Sequence, residues 1–530
     1  MLRSTLLLVV FGLTLLLAAS GKANTLATEL ISATEARRYG LELAWTTRVE
    51  VDAARGRVTH IQQYVSTENH HTYYEVRYGE GERRRVFGEQ DLDRFGEVVG
   101  QEGARRLADQ FVRQLEGRGL EAEVQEHQVP EITLYVTTDR AMIHAINAET
   151  GRTVWATVVG NPNYPTERVG VSEDYVAAVN GSSLYLLRRR DGRLVWVRRT
   201  QCVPAAGPAV SPYQVIVPTY SGRVELYDLE QTDTLPEVHA SNGRAVIQPV
   251  VTPLSVAWPT DRGLMYVAQV SRGRIRFRLE ARDAIVSQPA YFAPNRFFVG
   301  SVDGYLYCLH ETSGDEHWRF SSGEAIVETP VPTEDSLFFL TDQHNLYHLD
   351  PQHGDLRWIA PYVTRFLAAS QDRLYCLGMT NRLEILDRET GGRIASPRSN
   401  QLNFFYANPL TDRIIVGMDT GMLQAYREVD QRWPLVHEGE VTEAPAKKRP
   451  AIKQEALPDT EPERPDPPER PDPFAAPDSD DPFGPRDDDD PDVDPFGAPD
   501  DADDPFGGDA ADPFGGGGDP FGGVDDPFGG

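Results

Sequence analysis

The stretch DGYLYCLHETSGDEHW at residues 303–318 decides the fold. Asp303-Gly304 supplies a tight turn, YLYCL is a short strand, Gly314 sits where a turn needs positive φ, and Trp318 opens the next strand. The phrase recurs about every forty residues. Its eight copies are MIHAINAETGRTVW (142–155), LYLLRRRDGRLVW (184–196), VELYDLEQTDTLP (224–236), IRFRLEARDAIVS (275–287), LYCLHETSGDEHW (306–318), LYHLDPQHGDLRW (346–358), LEILDRETGGRIA (383–395) and LQAYREVDQRWPL (423–435). Short strands with turn signals at that period predict an eight-bladed β-propeller, an all-β ring in which each copy is one blade. The interval between the third and fourth copies is long and the next is short, which predicts a surface loop over 232–245.

Trp155, Trp196, Trp318 and Trp358 stand at the same place in their copies, where a large ring can wedge between neighbouring blades. Leu41 to Val51 reads as the outer strand of a repeat without the rest of one. Its expected role is to close the ring by completing the last blade, which removes two open sheet edges. Ser32 and Glu35 are spaced as a capping box for a short helix ahead of it. Over 66–130 the rhythm breaks into a hairpin around Gly79-Glu80-Gly81, a helix with one apolar face over 101–116, and a strand over 121–129. This segment is read as a small α+β insertion.

The ends differ in kind from the ring. Arg3 and the apolar run from Leu6 to Ala19 form a secretion signal over 1–23, the alternative being a retained membrane anchor. Residues 24–65 hold the helix and ring-closing strand, 66–130 the insertion and 131–436 the propeller repeats. Residues 437–530 form a Pro-rich acidic tail whose composition predicts disorder. From Glu455 onward the tail carries 25 Asp and Glu against three Arg, 22 of the chain's net 29 negative charges. A mildly acidic ring with an acidic tail excludes a nucleic-acid partner, which requires a basic face. The tail repeats Asp-Pro-Phe seven times, at Phe474, Phe483, Phe496, Phe506, Phe514, Phe521 and Phe528. These rings are candidate partner-docking anchors acting by multivalency, against the plainer reading of a solubilising tail.

No nucleophile–base pair, phosphate loop or metal-ligand spacing is found, so no catalytic, cofactor-binding or metal residue is assigned. The histidine groups His70-His71 and His344, His348, His353 read as ordinary histidines, because adjacent strand residues face opposite sides. The basic run Arg188-Arg189-Arg190 with Arg193, Arg198 and Arg199 reads as a solvated turn or a dock for the acidic tail. Cys202, Cys308 and Cys376 read as small hydrophobes.

The phrase at 303–318, with its partial copy at 380–391, resembles the PQQ-like propeller repeat, in particular the non-enzymatic BamB-like branch. The resemblance covers roughly residues 40–436. It implies an exported, envelope-associated bacterial scaffold for protein–protein interaction, with outer-membrane protein assembly as its setting and with no cofactor. The other branch implies the alternative, a quinoprotein-type dehydrogenase or small-ligand binder using the channel. That branch pairs adjacent cysteines at a calcium-bearing channel mouth, and this chain has no adjacent pair. The lipid-anchor cysteine of the BamB-like branch is also missing after the apolar run.

Overall fold

Phe297 and Phe298 are both fully buried, yet they pack into different cores. Phe297 joins Met265 and Val267 of the preceding blade, and Phe298 joins Phe339 and Tyr347 of the following one. Strand alternation sends successive side chains to opposite faces of a sheet. In a stack of blades both faces are interior, so the middle strands read as unbroken apolar runs.

The computed structural model describes residues 30–51, 56–79, 83–397 and 402–437. The secretion signal and the acidic tail with its seven Asp-Pro-Phe phenylalanines lie outside the described residues. Among the described residues no helix is long and apolar enough to cross a membrane.

Among the described residues eight antiparallel sheets form the blades. Blade 2 runs over 170–199, blade 3 over 209–240, blade 4 over 250–280, blade 5 over 290–321, blade 6 over 331–361 and blade 7 over 363–395, each with four strands. Helix α1 (Ala33–Arg38), capped by the Ser32 hydroxyl accepting from Glu35 N, precedes strand β1 (Leu41–Arg48). β1 pairs antiparallel with Met422–Glu428 and is the outermost strand of blade 8. The expected ring closure is therefore present.

Blade 1 and the insertion share their strands. β2 (Val58–Tyr78) and β4 (Ala122–Thr138) are 21 and 17 residues long. Their 58–65 and 132–138 halves pair as the inner half of blade 1, which β5 (Met142–Asn147) and β6 (Thr153–Val158) complete. Past a register shift between Val65 and His70, the same two strands run on, β2 pairs with β3 (Arg83–Gly88) on its other edge, and the sheet carries α2 (Gly100–Glu116). Tyr74, Val76, Phe87, Ala104, Ala108 and Leu115 form that module's own core. The insertion is thus an outgrowth of one blade, and residues 58–65, grouped with the N-terminal strand in the sequence, are the innermost strand of blade 1.

The repeat register in blade 4 differs from the sequence reading. Its third strand is Leu264–Gln269 and its outer strand Ile275–Glu280, so IRFRLEARDAIVS falls one strand late. The true copy begins at Met265, with Gly273 in the glycine place and Phe277 in place of tryptophan. The uneven spacing then disappears. The loop expected over 232–245 contains the outer strand of blade 3, Glu237–Ala240.

One contact repeats around the ring. A Cβ at Gly192 would lie 2.5 Å from Trp155 Cε3, and one at Gly354 would lie 2.6 Å from Trp318 Cε3. Both glycines have positive φ, so a side chain there is blocked twice. Each tryptophan lies flat on the turn of the next blade. Trp358 does the same on Gly391, Phe277 on Gly314, and Trp45 of β1 on Gly151. Trp155 Nε1 donates to Arg189 O at 2.7 Å and Trp45 Nε1 to Ala148 O at 2.6 Å, both carbonyls three residues before the glycine. Burying about 200 Å² of ring at roughly 25 cal/mol per Å² contributes about 5 kcal/mol per seam before ordering costs. Trp196 faces a turn without glycine and packs with Tyr227 and Leu229 instead.

Candidate functional site

The connections that enter each blade converge on a central channel of about 680 Å³, with a lining drawn from all eight blades. Its polar side chains fall into two groups. On blades 2 to 5, Gln248 Nε2 donates to Val169 O (3.0 Å) and Pro208 O (2.7 Å), and Gln288 Nε2 donates to Gln248 O (3.2 Å). These amides are engaged in holding blades together. The charged group is Arg168, Arg365, Glu167 and Glu328, with His60 and Tyr406. Burial raises the Glu328 carboxyl, opposed by Arg365 and His344, and burial alone raises Glu167. Burial lowers the His60 imidazole, and the Arg168 charge lowers it further.

Antiparallel strands put the connections between blades and the second-to-third-strand turns at one end of every sheet. On this face, segments 159–166, 200–208 and 219–222 of blades 2 and 3 contain no charged residue. Tyr164, Val203 and Tyr220 are 55%, 60% and 52% exposed there. Tyr220 N donates to Val203 O at 3.0 Å, which ties two of the segments together. The opposite end carries the insertion, whose loop 89–99 exposes Leu92, Phe95 and Val98. Asp93 Oδ1 accepts from Phe95 N and Glu97 N at 2.8 and 3.0 Å, so this loop is ordered too. Its remaining side chains are mostly acidic.

The residues singled out in the sequence have diverse places. The Arg188–Arg199 run is not one solvated patch. Arg189 is buried, pairs with Glu131 (3.0 Å) and Glu173 (2.9 Å), and lies over the Tyr64 ring, joining blade 2 to blade 1. Arg188 and Arg193 pair with Asp191, and Arg198 lies over Tyr227. His71 Nδ1 lies 2.8 Å from Glu89, while His70 is exposed. His344 is in a turn and His353 lies 3.8 Å from Asp350. Among the described residues no group of three or more His, Cys, Asp or Glu is placed to hold a metal ion. Cys308 and Cys376 are buried in blade cores and Cys202 is half-buried; all three are free thiols. Sequence reasoning missed the channel residues altogether, because they lie in or beside the innermost strands, outside the repeated phrase.

His348 is 2% exposed, between Phe338 at 4.7 Å and Trp358 at 4.9 Å. Burial first, then Arg357 and Arg388, lower its pKa to about 4. The native imidazole is neutral, and the unfolded chain takes up a proton near pH 6.5. Stability is therefore full above pH 6.5 and is lost as pH falls toward 4, by about 1–3 kcal/mol. Urea unfolding of the His348→Leu variant is expected to show a shallower loss than the wild type between pH 7 and pH 4.5.

A family model described as "Outer membrane protein assembly factor BamB" matches residues 92–251 and 256–401, more than half of the chain. Among solved structures, BamB from Moraxella catarrhalis aligns at 14% identity and a TM-score of 0.46, over 56% of this chain and 93% of that one. The computationally designed protein Ika8 aligns at 13% identity and a TM-score of 0.45, over 56% and 92%. The C-terminal WD40 domain of Sif2 aligns at 13% identity and a TM-score of 0.44, again over 56% and 92%. No curated protein matches the sequence. With a family model matched over more than half of its length, the chain belongs to the family of the outer membrane protein assembly factor BamB.

Proposed function

We propose that this chain is a non-catalytic scaffold that binds proteins in the bacterial cell envelope and serves outer-membrane protein assembly. The carrying observation is the uncharged sector of blades 2 and 3 with Tyr164, Val203 and Tyr220 exposed on ordered backbone. Interface cores are depleted of charge and enriched in tyrosine, and anchors held by a rigid scaffold lose little entropy on binding. Membership of the assembly-factor family supports the setting. The blade-linking amides of the channel support a structural use of that side of the lumen.

The test is the double substitution Val203→Glu with Tyr220→Glu. Both side chains are more than half exposed, so the melting temperature should stay within about 2 °C of wild type. Binding to envelope partners should fall at least about a hundredfold, from roughly 1–2 kcal/mol at each anchor plus the buried charges. Outer-membrane barrel proteins should drop in abundance. Unchanged partner recovery and unchanged barrel levels would count against the proposal.

A further inference from the structure

The charged half of the channel is not self-neutralised. The Arg168 guanidinium has neither an ion pair nor a side-chain hydrogen bond among the described residues. It lines the same cavity as His60 and Tyr406, and its charge acts on both. His60 Nδ1 is buried without a partner. The Tyr406 hydroxyl accepts from Gln63 N at 3.2 Å, which leaves its O–H free to donate. Among the described residues Arg168 forms no ion pair with its chain neighbour Glu167. Across the lumen, Arg365 and Glu328 oppose each other.

Arg168 is held in place by its backbone. A Cβ at Gly207 would lie 2.0 Å from the Arg168 carbonyl oxygen, so blade 3 abuts residue 168 and fixes where its side chain starts. Phe366, Phe404 and Phe405 line the same cavity. A guanidinium fork, an imidazole and a phenol beside aromatic rings match a carboxylate attached to an aromatic or branched apolar body. The volume of about 680 Å³ suits a body of a few apolar groups.

We infer that the channel between blades 8, 1 and 2 is a binding site for an apolar carboxylate, with Arg168 holding the carboxylate and His60 and Tyr406 completing its hydrogen bonds. The site is independent of the protein-docking sector. The same chemistry is offered by a free organic acid and by the carboxyl end of a peptide chain.

Calorimetric titration of the full chain at pH 7.5 tests this with four probes: N-acetylphenylalanine, its amide, and a hexapeptide ending in phenylalanine as free acid and as amide. The acids should bind at least about tenfold tighter than their amides, the usual weight of a charge-assisted contact. A peptide acid tenfold tighter than the small acid assigns the site to a chain terminus, and the reverse order assigns it to a free acid. Arg168→Gln should remove the acid preference, Arg168→Lys should weaken it, and Arg365→Gln should preserve it. The acid-against-amide comparison on the wild type stands even if the Arg168 variants fold poorly. Equal binding of acid and amide, no binding at millimolar concentration, inorganic phosphate binding as tightly as the acids, or an unaltered preference in Arg168→Gln would each overturn the site.

Discussion

A chain that begins at Val51 is expected to lose cooperative folding of the whole ring. The removed segment includes Ile31, Leu41, Trp45 and Val49, all buried, and β1 pairs from Leu41 with Glu428 to Arg48 with Met422. Four such side chains at roughly 1.5–3 kcal/mol each amount to on the order of 10 kcal/mol, comparable with the whole stability of a domain at about 5–15 kcal/mol. The loss also exposes the edge of blade 8 and uncovers Gly151 of blade 1, so both sides of the seam open together. A milder version is Trp45→Ala, which leaves the strand but empties the seam. It should cost about 3–5 kcal/mol, read as a lower urea midpoint with the cleavage sites of limited proteolysis appearing first in blades 8 and 1. A truncated chain that melts within a few degrees of the intact one would show that the ring does not depend on its first strand.

Arg413→Met is expected to cost a further 3–5 kcal/mol or so, at the same seam and for a different reason. The Arg413 side chain is 2% exposed. It grips Glu149 of blade 1 through Nε at 3.2 Å and Nη2 at 3.0 Å, and Asp412 through Nη1 at 3.0 Å. It also donates to Arg432 O and Gln431 O, on the segment that crosses back after the last strand of blade 8. That segment sets Trp433 against Tyr73 and His127 of the insertion, so one guanidinium ties blade 8, blade 1 and the crossing segment together. Methionine would leave two carboxylates facing each other without a cation. Burial already raises Asp412 to about 6, with Arg413 opposing the shift. With its pKa raised, Asp412 takes up a proton at higher pH in the native protein than in the unfolded chain, so that contribution to stability grows as pH falls through about 6. The variant should therefore recover part of its loss between pH 7.5 and pH 5. Equal unfolding free energies for variant and wild type at pH 7.5 would mean that the cluster is dispensable.

The ring was legible because its repeated residues make the same contact at five of the eight seams. A glycine and a tryptophan about forty residues apart recur because one covers the other across a blade boundary. In blade 4 Phe277 stands in the tryptophan place, so the repeat there lacks its clearest mark and the phrase falls one strand late. The insertion was seen as foreign, yet its junction was misplaced because β2 continues from blade into insertion without a turn. Arg189 was grouped with its exposed neighbours because charge alone does not report the alternation that turns one of three adjacent arginines inward. The channel could not be read at all. His60, Arg168, Arg365 and Tyr406 meet only because four blades bring their entering or reversing segments to one axis, and no spacing along the chain encodes that meeting.

On the proposed function, the uncharged sector of blades 2 and 3 docks a protein of the outer-membrane assembly pathway. The most direct test is a photo-crosslinking residue placed at Tyr220 in the living cell envelope, compared with one at Leu235, which is 85% exposed at the opposite end of the same blade. A discrete adduct from position 220 that contains an outer-membrane assembly component, and none from position 235, is the predicted result. No adduct at 220, or the same adduct at both positions, would contradict it.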